Sequence, residues 1–314
     1  MPRSRDAPAL DAAAAGAAIA LVVDRVDWHA RELTKAFARL GARAVPVMLP
    51  ACGIATQNSS GLAIAGFGDR LPDAVLVRSM AGGSFQAVTL RLGVLHALRD
   101  LGVMVWNDAR AIERCVDKSM ASFRLARAGI PTPATWATEA REAAQAIVAR
   151  EGGPLVLKPL FGSQGRGLKL IRAPDELPGP ADVAGVYYLQ RYVAVERDGF
   201  RDFRLLVSRG RVVAAMARHA ATWITNVKQG GRPVAAVADA EMKDLAVAAA
   251  AAVGADFAGV DLLHGPDGRA LVLEVNSMPA WSGLQKVTPI RIAAMLAADM
   301  VGALGDAARR GAAV

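Results

Sequence analysis

The chain has 314 residues, 53% of them hydrophobic and 21% charged, with a formal net charge of +8. That is too much apolar material for one simple core, so two or three subdomains are expected. Two cysteines, Cys52 and Cys115, and four histidines without a CxxC spacing exclude a disulfide framework and a zinc site, and fit a reducing cytoplasm.

The basic residues are scattered, with no dense run and no aromatic-interleaved stripe, so a polyanionic small substrate is expected rather than a nucleic acid. Residues 12–23 are apolar but too short to span a membrane and lack a clear cleavage site. Residues 19–24 read as a buried first strand, and no membrane partner is expected. Apolar runs at 19–24, 42–49, 74–80 and 103–107 alternate with helical patterns at 29–40 and 85–101. This β-α-β rhythm predicts a small parallel sheet with helices on its faces.

The Gly-Ile-Pro-Thr-Pro stretch at 129–133 ends a helix and enforces an extended linker, because each proline disfavours helical backbone before it. A helix at 139–150, a strand at 154–158, a glycine-rich loop and a strand at 168–172 follow. The second half reads as antiparallel strands at 186–193, 202–208 and 212–218, a helix at 239–253, and a hairpin of 259–263 with 270–276. The ends, residues 1–16 and 306–314, are rich in small residues and are expected to be flexible.

The loop Gly162-Ser163-Gln164-Gly165-Arg166-Gly167 lies between two strands and is neither a Walker loop nor a dinucleotide fingerprint. Its three glycines let backbone N–H groups approach phosphate oxygens. Lys158 ends the apolar strand just before it, in reach of the same phosphates. In the hairpin, Asp261 lies on one strand, with Glu274 and Asn276 two apart on the other and therefore on one face. These are hard oxygen ligands suited to Mg²⁺ bridging nucleotide phosphates. Asp202 and Arg204 also lie two apart, with Arg218 on the returning strand and Asn226 in the polar loop after it. Such arginines can stabilise a transferring phosphoryl group.

In order, the chain carries Asp117-Lys118, GIPTP, PLVLKPLFGSQGRG, YYLQRYV, DFRLLV, AMARH, NVKQGG, AGVDLL and LVLEVNSMPAWSGL. From about residue 107 to 288 it closely resembles the ATP-grasp superfamily, and within it the RimK-like glutamate ligases. The resemblance implies an α/β and α+β architecture, two α+β lobes clamping nucleotide after a small parallel-sheet pre-ATP-grasp domain. The expected boundaries are 17–106 for that domain, 107–188 for the central lobe and 189–305 for the C-terminal lobe. Lys118 and Lys158 would contact phosphates together with Gly162, Ser163, Gln164, Gly165 and Gly167. Gln190, Arg191 and Tyr192 would form the hinge beside adenine, and Asp202 would contact the nucleotide. Asp261, Glu274 and Asn276 would hold two Mg²⁺ or Mn²⁺ ions, with Arg204, Arg218 and Asn226 near the γ-phosphate.

The implied reaction is ATP-dependent amide formation through an acyl phosphate, with glutamate or another amino acid added to a carboxylate of a small-molecule cofactor or peptide. Arg78 and Arg91 are the expected clamp for the acceptor's carboxylate. The cysteine usage leads to an expected cytoplasmic location, and the oligomeric state, with a homodimer or homotetramer among the options, is not fixed by the sequence. Two other readings stay open: a nucleotide-binding module without catalysis, and a ligase of the same type acting on a protein terminus. The sequence departs from the RimK-like pattern at Thr222-Trp223-Ile224-Thr225, where a longer charged segment with an arginine before the asparagine is usual. The connection at 194–201 is also longer than expected.

Overall fold

The computed structural model describes residues 16–162, 164–194 and 199–311, which divide into two compact units. The first unit contains residues up to Trp106 and those from Arg291, and the second runs from Asn107 to Ile290.

The first unit opens with β1 (Ala18–Val22), α1 (Trp28–Arg39) and β2 (Arg43–Val47). A small hairpin, β3 (Gly53–Ile54) with β4 (Leu62–Ala63), precedes β5 (Ala74–Val77), α2 (Phe85–Asp100) and β6 (Met104–Trp106). The main strands form a parallel sheet in the order β2-β1-β5-β6. Ile19–Val22 and Ala74–Val77 are buried throughout, as expected for strands covered on both faces. Asp27 caps α1 by accepting from the Ala30 amide at 2.9 Å, and Ala30, Leu33 and Phe37 form the helix face turned inward. Ser84 caps α2 in the same way through the Ala87 amide.

The second unit begins with α3 (Ala109–Val116) and α4 (Lys118–Arg127), followed by β7 (Thr135–Thr138), α5 (Arg141–Glu151), β8 (Leu155–Lys158), β9 (Lys169–Ile171) and β10 (Tyr187–Arg191). Its first sheet is antiparallel, ordered β7-β10-β8-β9. Next come β11 (Phe200–Ser208), β12 (Arg211–Ala220), β13 (Arg232–Ala235), α6 (Ala240–Val253), β14 (Phe257–His264), β15 (Ala270–Asn276) and α7 (Ser282–Gln285). The second sheet, also antiparallel, runs β13-β12-β11-β14-β15. Ala144 and Val148 of α5 pack on Leu155, Leu157, Tyr187 and Leu189. Ala246, Ala249 and Val253 of α6 pack on Leu205, Val260, Val272 and Val275. Each sheet therefore spends one face on a helix and leaves the other for the cleft described below.

Asn107 staples the hairpin of β14 and β15 from its base. Fully buried, its amide donates to the Phe257 and Ser277 carbonyls and accepts from the Asp256 and Phe257 amides at 2.7 and 3.0 Å. All four capacities of the side chain are used.

One expected boundary is corrected. The last helix, α8 (Ile292–Gly311), belongs to the first unit, where it packs against α1, and not with the lobe that ends the second. Residues 306–311 are helical and not the expected flexible tail, and 312–314, like 1–15, lie outside the described residues. Alanine is the strongest helix former, and the small-residue stretch from 306 continues a helix whose buried residues, Leu296, Ala297 and Met300, come before it. Among the described residues no helix is long and apolar enough to cross a membrane.

Candidate active site

The second unit holds an open cleft of about 990 Å³, counting the solvent at its mouth. Its walls alternate with the packed faces of the strands. In β8, Leu155 and Leu157 enter the core under α5, so Val156 and Lys158 face the cleft. Tyr188 and Gln190 of β10 take the same side by the same alternation. Lys158 Nζ donates to Gln190 Oε1 at 2.6 Å, and Gln190 Nε2 reaches Thr135 Oγ1 at 3.5 Å. Tyr188 shares a buried 2.8 Å hydrogen bond with Ser122. Burial holds the Lys158 ammonium below the usual lysine range, and the Glu274 carboxylate pulls it back upward.

Lys118 stands at the first turn of α4, capped by Asp117, which accepts from the Ser119 and Met120 amides. A cation at a helix N-terminus opposes the helix dipole, so its position needs another explanation. Lys118 Nζ donates to the carbonyls of Leu160 and Gly162 at 3.2 and 2.8 Å, tying the helix to the glycine-rich loop. Burial lowers its pKa, and Glu274 and Asp117 offset part of that.

The loop itself is built for close approach. Gly165 has φ +70°, and a Cβ there would lie 2.5 Å from Asn226 Oδ1 and 2.9 Å from Ile224 Cγ2. Gly167, also at positive φ, sits against Pro159. Gly162, Gln164, Gly165 and Arg166 all line the cleft, whereas Ser163 lies outside the described residues. Tyr192, just past β10, meets Trp223 edge-to-face with ring centroids 6.1 Å apart. Arg191 is spent on an ion pair with Glu151.

The second sheet contributes a row of charge. Register places Asp202 opposite Arg218, Arg204 opposite Asp261, and Asp261 opposite Glu274. Arg204 holds Asp261 in a bidentate pair at 2.7 and 2.6 Å. Arg218 grips Asp202 through Nε and Nη2, and its Nη2 reaches Asp261 at 3.0 Å. Burial alone would raise the Asp261 pKa, but Arg204 and Arg218 overcome it and hold the carboxyl well below its ordinary range. The same carboxylates hold Arg218 above the ordinary arginine value against the cost of burial. Asn276 Nδ2 donates to Glu274 Oε1 at 3.1 Å and to the Gly259 carbonyl at 3.4 Å.

A bulge in β15 changes what that strand presents. Asp261 pairs with Glu274 but Leu262 pairs with Val272, so Leu273 is the extra residue. Val272 and Val275 both enter the core, while Leu273 and Glu274 both line the cleft. Strict alternation would have turned Leu273 away, which is why sequence reasoning missed it. Leu263, Val156 and Ile224, also missed, join it as apolar lining.

The oxygen donors of this row suit a Mg²⁺ ion. Asp261, Glu274 and the Asn276 amide oxygen are hard oxygen donors on neighbouring strands, which fits. Among the described residues no three His, Cys, Asp or Glu side chains form a metal-binding group. Two carboxylates suffice only when phosphate oxygens complete the shell, as is usual for Mg²⁺. The cations lining the cleft, Lys118, Lys158, Arg166, Arg191, Arg201 and Arg218, outnumber Asp202, Asp261 and Glu274, which suits a polyanion.

Arg78 and Arg91 lie in the first unit. Arg78 follows β5 and is 6% exposed, with burial lowering its pKa and Asp27 and Asp24 opposing that. Arg91 Nη1 donates to the carbonyls of Ala81 and Gly82, pinning the turn before α2.

The chain is 32% identical over 302 residues to a tetrahydromethanopterin:alpha-L-glutamate ligase of Methanosarcina acetivorans, covering 84% of this chain and 92% of that one. It is 34% identical over 228 residues to a probable alpha-L-glutamate ligase of Legionella pneumophila, covering 67% and 74%. Among solved structures, the ATP-grasp ligase PsnB superposes with a TM-score of 0.70 at 23% identity, over 92% of this chain and 99% of the other. A RimK domain ATP-grasp protein of Sphaerobacter thermophilus gives 0.67 at 24% identity, over 90% and 98%. These structures share the fold. Residues 115–300 match the RimK-like ATP-grasp domain, more than half of the sequence, and the chain belongs to that family.

Proposed function

We propose that this chain uses Mg·ATP to activate a carboxylate as an acyl phosphate and joins it to the amine of L-glutamate. The observation that carries the reading is the convergence of Lys118, Lys158 and the 162–167 loop with Asp261 and Glu274 on a single cleft. In this reading Lys158 and Lys118 bind the phosphates, and Lys118 exchanges its bonds to the Leu160 and Gly162 carbonyls for phosphate oxygens. Backbone amides of Gly162, Gln164, Gly165 and Gly167 add donors without charge. Gln190, Arg191 and Tyr192 border the base, with Leu273, Leu263 and Val156 supplying apolar contact. Asp202 meets the nucleotide from the pair it makes with Arg218.

Asp261, Glu274 and Asn276 would hold Mg²⁺, two ions in this reading, which when bound would neutralise phosphate charge. Arg218 and Arg204 keep Asp261 ionised and oriented, and Asn226 faces the terminal phosphate across Gly165. The side chains position the reactants and carry charge, and none needs to form a covalent bond to substrate. The acceptor is a carboxylate-bearing small molecule in a reducing cytoplasm. The relatives named as glutamate ligases and the excess of cleft cations support the amino acid and the anionic character of the substrates. Arg78 and Arg91 remain the proposed acceptor contacts.

The test incubates purified protein with Mg·ATP, single amino acids and candidate carboxylate acceptors, following phosphate release and identifying products by mass spectrometry. Phosphate release that depends on glutamate and acceptor, with a new glutamyl amide, is expected, and Glu274→Gln should abolish it. Phosphate release without a new amide would sink the ligase assignment.

A further inference from the structure

One cation lining the cleft has no task in the assignment above. Arg166 follows Gly165 in the turn of the glycine-rich loop, and Gly165 packs directly on Asn226 and Ile224. Lys158 is bonded to Gln190 and Lys118 to the loop carbonyls. Arg191 pairs with Glu151, and Arg218 with Asp202 and Asp261. Arg201 lies over the Phe203 ring at 5.2 Å. Among the described residues Arg166 makes no hydrogen bond, ion pair or ring contact. The segment that Gly165 packs against, residues 222–225 up to Asn226, carries no charge of its own. Among the described residues the cleft thus presents an unpaired guanidinium on the glycine-rich loop, next to a segment with no cation.

We propose that Arg166 is a further catalytic residue, its guanidinium contacting the terminal phosphate of ATP. This rests on the Mg·ATP ligase reading. As the substrate carboxylate oxygen bonds to the γ-phosphorus, the bridging P–O bond breaks and its electron pair leaves on ADP. Arg166 forms no covalent bond; it donates hydrogen bonds to the equatorial oxygens, where the transferring group keeps its charge. Its side chain is exposed in the free protein, so the contact is made only with nucleotide present.

The experiment compares wild type, Arg166→Ala and Arg166→Lys by calorimetric titration with AMP, ADP and AMP-PNP in Mg²⁺, and by steady-state kinetics. In Arg166→Ala, AMP-PNP affinity should fall about tenfold while AMP affinity stays within twofold, since only the former has the terminal phosphate. The kcat should fall about a hundredfold, the scale of losing one positioned donor. Millimolar aminoguanidine should restore part of the kcat of Arg166→Ala and none of wild type's, and Arg166→Lys should stay well below wild type. Equal losses for all three nucleotides, or no loss of affinity or kcat, would overturn the assignment. Wild type that neither binds AMP-PNP nor releases phosphate would instead refute the ligase reading itself.

Discussion

Removing the Asn107 side chain should loosen the hairpin that carries Asp261 and Glu274 without touching either. In Asn107→Ala, two backbone amides, Asp256 and Phe257, and two carbonyls, Phe257 and Ser277, lose their partner in a fully buried place. An orphaned buried group costs about 1–3 kcal/mol, carbonyls less than N–H groups because they have a second lone pair to satisfy elsewhere. Water entering the vacated volume recovers part of this. The expected loss is therefore about 3–5 kcal/mol, a large share of the roughly 5–15 kcal/mol that stabilises a domain. Asn107→Asp keeps the acceptor and loses both donors, setting a carboxylate against two carbonyls, so it should be at least as damaging. Urea unfolding followed by far-UV circular dichroism measures both, and the midpoint should drop while the slope stays that of wild type. A loss below about 1 kcal/mol in Asn107→Ala would refute the idea that this side chain staples the hairpin.

Gly165→Ala should cut kcat/KM for ATP by about tenfold or more and lower stability by about 1–3 kcal/mol in urea unfolding. Its Cβ would collide with Asn226 and its φ is costly for any other residue; unchanged kinetics would show that the loop adapts. Trp223→Ala should raise the KM for ATP by about three- to tenfold, the scale of one aromatic pair, and Trp223→Phe should recover most of it. Asp261 is held below its unfolded pKa of about 3.9, so its stabilisation is complete above that value and is withdrawn as pH falls from there through the lower folded pKa. Asp261→Asn should therefore show a shallower acid slope of stability than wild type, and identical slopes would contradict the Arg204 and Arg218 account. Burial pushes the Cys115 thiol up to about 12 although part of the residue reaches solvent, and Cys52 is also raised. Ellman's reagent at pH 8 should react slowly with the native protein and rapidly with both thiols in denaturant.

The elements that carry the chemistry were legible because their patterns are strong. Leu155–Lys158, the glycine turn and Ala270–Asn276 are bounded by turn residues and rich in β-formers, so their strands could be read with correct faces for Lys158 and Glu274. What escaped depends on distant partners. The bulge at Leu273 comes from pairing with Leu262, which no local window contains. The pairing of Arg204 with Asp261 and of Arg218 with Asp202 needs the register of three strands, so the arginines read as groups for phosphate and not as holders of carboxylates. The buried stripe of α8, Ile292, Leu296, Ala297 and Met300, marks a helix but carries no sign of which unit it joins, because its partner α1 lies far away in the sequence. Short strands such as β13 and β7 are fixed by the sheets they extend more than by their own composition.

The bulge in β15 also sets a limit on how this cleft can drift. In a regular strand an apolar floor and a metal-facing carboxylate would alternate with core residues and could be exchanged one at a time. Here Leu273 and Glu274 are covalent neighbours, their Cα atoms about 3.8 Å apart as in any trans peptide. The span between base and metal in the proposed reading is thus a fixed ruler, insensitive to repacking around it. Selection can retune either end, but a single-residue insertion or deletion in β15 moves both at once, and such changes should be absent from working descendants of this chain.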